Sequence, residues 1–254
     1  MRLDPEKTAA FQFDRGPVGC LLIHGFTGSP FMFRELAQYL AERDVTVLCR
    51  QLPGHGTTPE EMSRTDWRDW YGASVASLVE LSSKCEKVVV CGQSMGGTLS
   101  LHLAAHHASG NKVAGVITYG APIYMKNPLL PFLPLIKPFV KYMHSPAPDV
   151  ANLEARPEVL SYDRVPLRCI ESLLDLLDHV RNDLRDVTVP VLLFQGVIDH
   201  VVDPPNVHLI HRLLGCDDKI VVELPNSCHM IPVDYDKELV KERTYEFVRR
   251  VTCA

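Results

Sequence analysis

Ser94 stands at the centre of Gly92-Gln93-Ser94-Met95-Gly96, directly after four apolar residues that suit a buried strand and directly before a small-residue helical pattern. A serine at the apex of such a turn is held in a strained backbone conformation that lifts its hydroxyl clear of the sheet. Glycines two before and two after it let the helix pack back on the strand. The spacing therefore predicts a nucleophile elbow, and its place between a strand and a helix makes it far more specific than a bare Gly-x-Ser-x-Gly. A serine hydroxyl is a poor nucleophile at neutral pH, so an active one needs a nearby base and an acid to orient that base.

Eleven histidines compete for the role of base. His102, His106 and His107 lie on the helix after Ser94, and His208 and His211 sit three apart on another; neither set has a third ligand in view, so no metal site is expected. His179 reads as a helix-surface residue, and His24 and His55, in glycine-rich loops, as structural hydrogen-bonders. His229 differs, because it follows a strand in the turn Pro225-Asn226-Ser227-Cys228-His229, where an imidazole can swing over the sheet edge. The acid should leave the end of the strand Val191 to Gly196, where Asp199 and Asp203 are the two candidates. Asp199 is favoured, being nearer the strand end with Val201-Val202 behind it to anchor the loop. Asp203 reads as an N-cap-like residue before Pro204-Pro205. The order Ser94, Asp199, His229 is the Ser-Asp-His order of α/β-hydrolases. Charge developing on a carbonyl oxygen also needs donors, for which the backbone N–H groups of Met95 and Phe26 are the candidates. Cys228 is no second nucleophile, since neighbours in an extended turn direct their side chains apart.

These residues need a sheet to hold them. Strands are expected at Val18 to Ile23, Val45 to Cys49, Val88 to Cys91, Val113 to Tyr119, Val189 to Gln195 and Lys219 to Leu224, with Phe11 and Phe13 on an edge strand. Helical patterns cover Met32 to Arg43, Asp66 to Ser82 with Thr65 as N-cap, Ser94 to about His107, Pro205 to Leu214, and Asp234 to Val251. Trp67, Trp70, Val75, Leu78 and Val79 form the expected buried face of the second. The alternation predicts a mostly parallel central sheet with helices on both faces. It lapses between Tyr124 and Asp186, which argues for an inserted cap: core over 1–123 and 186–254, cap over 124–185. Pro128, Pro131, Pro134 and Pro138 forbid one long helix there, with further helical patterns near Asn152 to Leu160 and Leu167 to Asp183. The apolar tract Leu129 to Val140 is expected to wall the acyl pocket, either as cap core or as a lipid-facing surface.

With 254 residues, 46% hydrophobic and 22% charged, the chain can bury a large core, and a net charge of −5 with scattered Lys and Arg offers nucleic acid no basic face. No signal-peptide core and no run of about 18 apolar residues occurs, so a soluble cytoplasmic protein is expected. The eight cysteines include no CxxC pair, and Cys20 and Cys91 fall in core strands, which suits reduced structural thiols.

Taken together, HGFTGSP at 24–30, LPGHGT at 52–57, GQSMGGTL at 92–99, DHVV at 199–202 and the NSxHM turn at 226–230 resemble the bacterial monoacylglycerol lipase and carboxylesterase branch of the α/β-hydrolases. The resemblance spans nearly the whole chain. It implies an α/β-hydrolase fold, a catalytic triad of Ser94, Asp199 and His229, oxyanion donors at Phe26 and Met95, and hydrolysis of small-molecule esters, monoacylglycerols included, without metal or organic cofactor. Thioester hydrolysis or acyl transfer, and a ligand-binding protein with an idle triad, are the alternatives. Two departures stand out: Gln93, where leucine or histidine is common and which is expected to leave catalysis untouched, and the proline-rich tract from Tyr124 to Ser145, which bears on acyl preference and on transient contact with a lipid interface.

Overall fold

The structure, a computed structural model, describes residues 3–253 apart from Ser109, Asn111 and Leu129. Its main sheet has seven strands: β1 (Phe11–Phe13), β2 (Val18–Ile23), β3 (Val45–Cys49), β4 (Lys87–Gln93), β5 (Val113–Tyr119), β8 (Val191–Gly196) and β9 (Lys219–Leu224). Their spatial order is β1-β3-β2-β4-β5-β8-β9, parallel throughout except for β1, which pairs antiparallel with β3. The inner strands read as continuous apolar runs because both of their faces are covered. Alternate residues of each strand enter different apolar layers, as the two-residue period of a strand requires.

Leu21, Ile23, Val88, Val90, Val116 and Leu193 pack under helices α4 (Trp67–Lys84), α5 (Met95–His107), α7 (Leu167–Asp183) and α8 (Pro205–Leu213). Cys20, Leu22, Val89, Cys91, Ile117 and Phe194 pack under α2 (Arg34–Ala41) and α9 (Lys237–Thr252). Two shorter helices lie outside these layers, α1 (Pro5–Thr8) before β1 and α3 (Pro59–Met62) between β3 and α4. The eight cysteines are free thiols, all buried but Cys253. Among the described residues, no helix is long and apolar enough to cross a membrane.

Several expected boundaries move for local reasons. The N-cap of α4 is Asp66, not Thr65: its carboxylate accepts from the Arg68 N–H, and Asp69 reaches back to the Asp66 N–H in a capping box. The Thr65 hydroxyl instead accepts from Trp70 Nε1 at 3.0 Å. Val79 is 51% exposed, because the buried stripe of α4 runs Trp67, Trp70, Ser74, Ser77, Leu78 and Leu81 and leaves position 79 one residue off it. The pattern at Met32 to Arg43 splits into a 3-10 turn, Pro30–Phe33, followed by α2.

Between β5 and β8 the main sheet gains no strand. The proline-spaced tract makes a 3-10 turn, Leu130–Phe132, and the single turn α6 (Leu133–Ile136). It is followed by β6 (Tyr142–His144), which pairs antiparallel with β7 (Arg164–Pro166), a two-stranded element that no alternating pattern announced. Leu133 is buried, but Phe132, Leu135 and Phe139 are 54%, 71% and 88% exposed; Leu129 of the same tract lies outside the described residues. α7 buries Cys169, Leu173, Leu176 and Val180 in the same apolar layer as α4 and α5, so its inner face belongs to the main core.

Candidate active site

β4 delivers Ser94 to the carboxyl edge of the sheet at φ 54° and ψ −122°, a left-handed conformation costly for a residue with a Cβ. The Ser94 N–H donates to the Tyr119 carbonyl at 2.8 Å, and α5 starts at Met95. The two flanking glycines are sterically required. A Cβ on Gly92 would lie 2.1 Å from the Gly96 carbonyl carbon, and one on Gly96 would lie 2.0 Å from the Ile23 carbonyl oxygen. The loop after β2 crosses close to the elbow, since a Cβ on Gly25 would stand 3.3 Å from Ser94 Cβ. Its turn is closed by the Gly28 N–H on the Gly25 carbonyl, with Thr27 at φ 61°. Phe26 and Met95 thus flank Ser94 from two different segments.

His229 and Asp199 meet at 2.8 Å between Nδ1 and Oδ2, both buried. Burial alone would raise the Asp199 pKa, but the hydrogen bond and charge of His229 and the N–H groups of Val202 and Val201 outweigh it, and the carboxyl lies below its usual range. Those two N–H groups each donate to Oδ1 at 2.8 Å, and Gln195 Nε2 donates to Oδ2 at 3.1 Å. Asp203 faces elsewhere. It accepts from the Tyr124 hydroxyl and Lys126 Nζ, both at 2.6 Å, so it ties down the chain after β5 and does not cap α8 with its side chain. Ser94 and His229 line one cavity of about 210 Å³ with no hydrogen bond between their side chains, and such bonds often tighten only when substrate is bound.

Apolar side chains dominate that cavity, among them Met125, Val159, Val165, Leu173 and Met230. The tract expected to wall it does not: no described residue from 130 to 140 reaches the lining, and the wall comes from the strap Ser145–Asp149 and from Val159, Ser161 and Val165. Three polar residues with no assigned part also bear on the site. Gln93, expected to have no influence there, donates from Nε2 to the His229 carbonyl at 2.7 Å. Asp149 accepts the N–H groups of His200 at 2.9 Å and His229 at 3.2 Å, and so braces the acid loop and the histidine loop together. Asp234, fully buried, accepts four N–H groups, from Ala151, Asn152, Cys228 and Tyr235. Asp149 stood in a loop without periodicity, and Asp234, expected as the first residue of the closing helix, lies before it, since α9 starts at Lys237.

The remaining histidines sort as their positions suggest, with one exception. His24 Nε2 accepts from the Leu52 N–H at 3.1 Å while Nδ1 faces the Gly25 carbonyl, and His55 Nδ1 faces the Pro53 carbonyl, so both are buried structural groups. Burial lowers the pKa of His24 to about 4 and, with the nearby His24, that of His55 to about 3. The exception is the pair His102 and His106: the sequence offered no third ligand, but the fold brings Asp183 to both.

A doubly covered, mostly parallel sheet with a strained serine after a central strand, and a bonded Asp-His pair on later loops, defines the α/β-hydrolase class. Residues 18–236 match the protein family Hydrolase_4, described as serine aminopeptidase, S33. The chain belongs to this family of hydrolases and is an enzyme. It is 34% identical over 244 residues to a thermostable monoacylglycerol lipase of Bacillus sp. (strain H-257), covering 93% of this chain and 92% of that one. It is 28% identical over 242 residues to a carboxylesterase of Bacillus subtilis, covering 95% and 96%. A solved structure from work on the metagenome-derived lipolytic enzymes LipS and LipT superposes with a TM-score of 0.92 at 32% identity, covering 98% of this chain and all of that one.

The buried imidazoles set a pH dependence of stability. In the unfolded chain His24 and His55 take a proton near pH 6.5, whereas in the fold they resist it until about 4 and about 3. Between these values the unfolded state binds more protons, so stability falls as pH falls, by about 1.4 kcal/mol per pH unit for each ring. Urea unfolding between about pH 7 and pH 5 should show this slope, and His55→Asn, which can still donate to Pro53, should reduce it by about one proton. A slope unchanged in the variant would contradict the assignment.

Proposed function

We propose that the chain is a serine carboxylic-ester hydrolase that cleaves monoacylglycerols and other esters of short- to medium-chain acyl groups through an acyl-enzyme. The observation that carries this reading is the 2.8 Å bond from His229 Nδ1 to Asp199 beside the cavity that Ser94 enters. With Nδ1 donating to the carboxylate, Nε2 is the nitrogen left to take the Ser94 proton as Oγ attacks the ester carbonyl. Asp199 keeps that tautomer and stabilises the imidazolium that forms. The N–H groups of Met95 and Phe26 hold the oxyanion, helped by the N-terminal dipole of α5. His229 then gives its proton to the leaving alcohol, and a water that it activates releases the acid.

The apolar lining and the lipase and esterase relatives favour an acyl ester over a peptide. We read residues 124–185 as the cap, of which the strap Ser145–Asp149 and Val159 to Val165 roof the acyl site. The exposed Phe132, Leu135 and Phe139, with Lys137 among them, form the face that would touch a lipid interface transiently. Each buried methylene adds about 0.8 kcal/mol, roughly fourfold, until the pocket is full. At about 210 Å³ the cavity is below the common range of ligand pockets, which favours medium chains of about six to twelve carbons.

Substitution at the triad tests the mechanism. Ser94→Ala and His229→Ala should each remove most ester hydrolysis, and the double variant should be little worse than either, because the two act as a unit. Asp199→Asn should cost about 10⁴-fold in kcat by holding the imidazole in the wrong tautomer, and Asp203→Asn far less. A larger loss for Asp203→Asn, or near-additive losses for Ser94 and His229, would contradict the assignment.

Chain length and interface are tested together with nitrophenyl esters from C2 to C16, beside monoacylglycerols and emulsified trioleoylglycerol. kcat/KM should peak at medium chains, and trioleoylglycerol should be poor. Leu135→Ser with Phe139→Ser, both at exposed positions, should weaken action on aggregated long-chain substrate more than on the soluble short ester. Highest efficiency on acetyl, good turnover of trioleoylglycerol, or equal losses in the surface variant would overturn this part of the reading.

A further inference from the structure

Away from the cavity, α5 and the end of α7 bring together three groups that the proposed ester chemistry does not use. His102 and His106 stand four residues apart on α5 and therefore share one helix face. Asp183, the last residue of α7, places Oδ2 2.9 Å from His102 Nδ1 and 3.0 Å from His106 Nε2. The three ligand atoms all lie within 4.8 Å of one another. We propose that His102, His106 and Asp183 form a binding site for a divalent transition-metal ion, Zn²⁺ above all, that clamps the elbow helix to α7.

The donor set suits the ion. Two imidazoles and one carboxylate are a common three-residue complement for zinc, with water as the fourth ligand, and His106, half-exposed, leaves room for that water. With bonds of about 2.0–2.1 Å, tetrahedral ligands stand about 3.3 Å apart, and Asp183 Oδ2, 2.9 and 3.0 Å from the two ring nitrogens, is within a few tenths of an ångström of that spacing.

His102 is the second, independent observation. It is 6% exposed, and its Nδ1 has no hydrogen-bond partner: Asp183 Oδ2 is near enough, but lies off the line along which the ring would donate. A buried imidazole nitrogen without a partner costs free energy, and a metal ion supplies one. Its ring packs against Tyr71, with centroids 4.5 Å apart, and Trp67, at 5.9 Å, both on α4, so the ligand is oriented before any ion arrives.

The site lies eight residues beyond Ser94, about 12 Å along the helix axis, so it is separate from the cavity. Its effect is on stability, because an ion that bridges α5 and α7 binds only when the two helices are docked. At free metal 100-fold above Kd, the folded-to-unfolded ratio rises about 100-fold.

The test is calorimetric titration of the full chain with ZnCl₂ near neutral pH, paired with thermal unfolding. The wild type should bind one Zn²⁺ at this site and gain in Tm. His106→Ala, at a position open enough to leave the fold intact, should weaken that binding at least about tenfold and abolish the gain, as should Asp183→Asn. His200→Ala, which removes a ligand from the other group of possible metal ligands among the described residues, Asp149, His200 and Cys228, and Cys253→Ser, which removes the exposed thiol, should leave it unchanged. Absence of saturable binding to the wild type, equal binding by His106→Ala, or loss on His200→Ala or Cys253→Ser would overturn the proposal.

Discussion

Gly96 on α5 and the carbonyl of Ile23 at the end of β2 approach so closely that no side chain fits between them, and the whole site hangs on this contact. The helix can lie that near the sheet only if the chain turns sharply as it leaves β4, and Ser94 carries that turn at positive φ. The strain holds because three things fix it together: the β2–β4–β5 pairing, the Ser94 N–H on the Tyr119 carbonyl, and the packing of Met95 and Leu99 of α5 into the apolar core. The same turn points the hydroxyl off the sheet edge and leaves the Met95 N–H at the helix start. Geometry that costs conformational energy at one residue thereby presents both the proposed nucleophile and a proposed donor for the oxygen it would charge.

The histidine and its acid are fixed differently, by carboxylates that collect backbone N–H groups. Asp199 takes those of Val201 and Val202 while holding His229; Asp149 takes those of His200 and His229; Asp234 takes four around the histidine turn. A carboxylate that accepts several backbone N–H groups ties together the segments that carry them, so these three pin loops that have no sheet or helix of their own. Asp149 belongs to the strap that also walls the cavity, so the substrate wall and the histidine loop share one side chain.

How far the sequence could be read follows from which forces are periodic. β2, β3, β5 and β9 carry the limits their apolar runs suggest, and α7 runs from Leu167 to Asp183 as its pattern does, because burial in a two-faced sheet or on one helix stripe repeats along the chain. The placement of Ser94, Asp199 and His229 was legible because each follows a strand end, where a motif meets a loop. Asp149, Asp234 and Gln93 were not, since a hydrogen bond to a loop N–H leaves no periodic trace. The proline-rich tract misled for a related reason: its apolar content suggested the wall of the cavity, but the prolines break it into short turns that turn Leu135 and Phe139 outward, and the wall comes from residues farther along. Asp183, more than seventy positions from His106, could meet it only through the packing of α7 on α5.

The central claim is that Ser94 is the one nucleophile, activated by His229. Reaction of the folded chain with a fluorophosphonate, followed by intact-mass and peptide analysis, measures this without reference to any substrate. A single phosphonyl group should appear on Ser94, absent in Ser94→Ala and formed far more slowly in His229→Ala. Labelling of another residue at a comparable rate, or undiminished labelling of Ser94 without the imidazole, would contradict it.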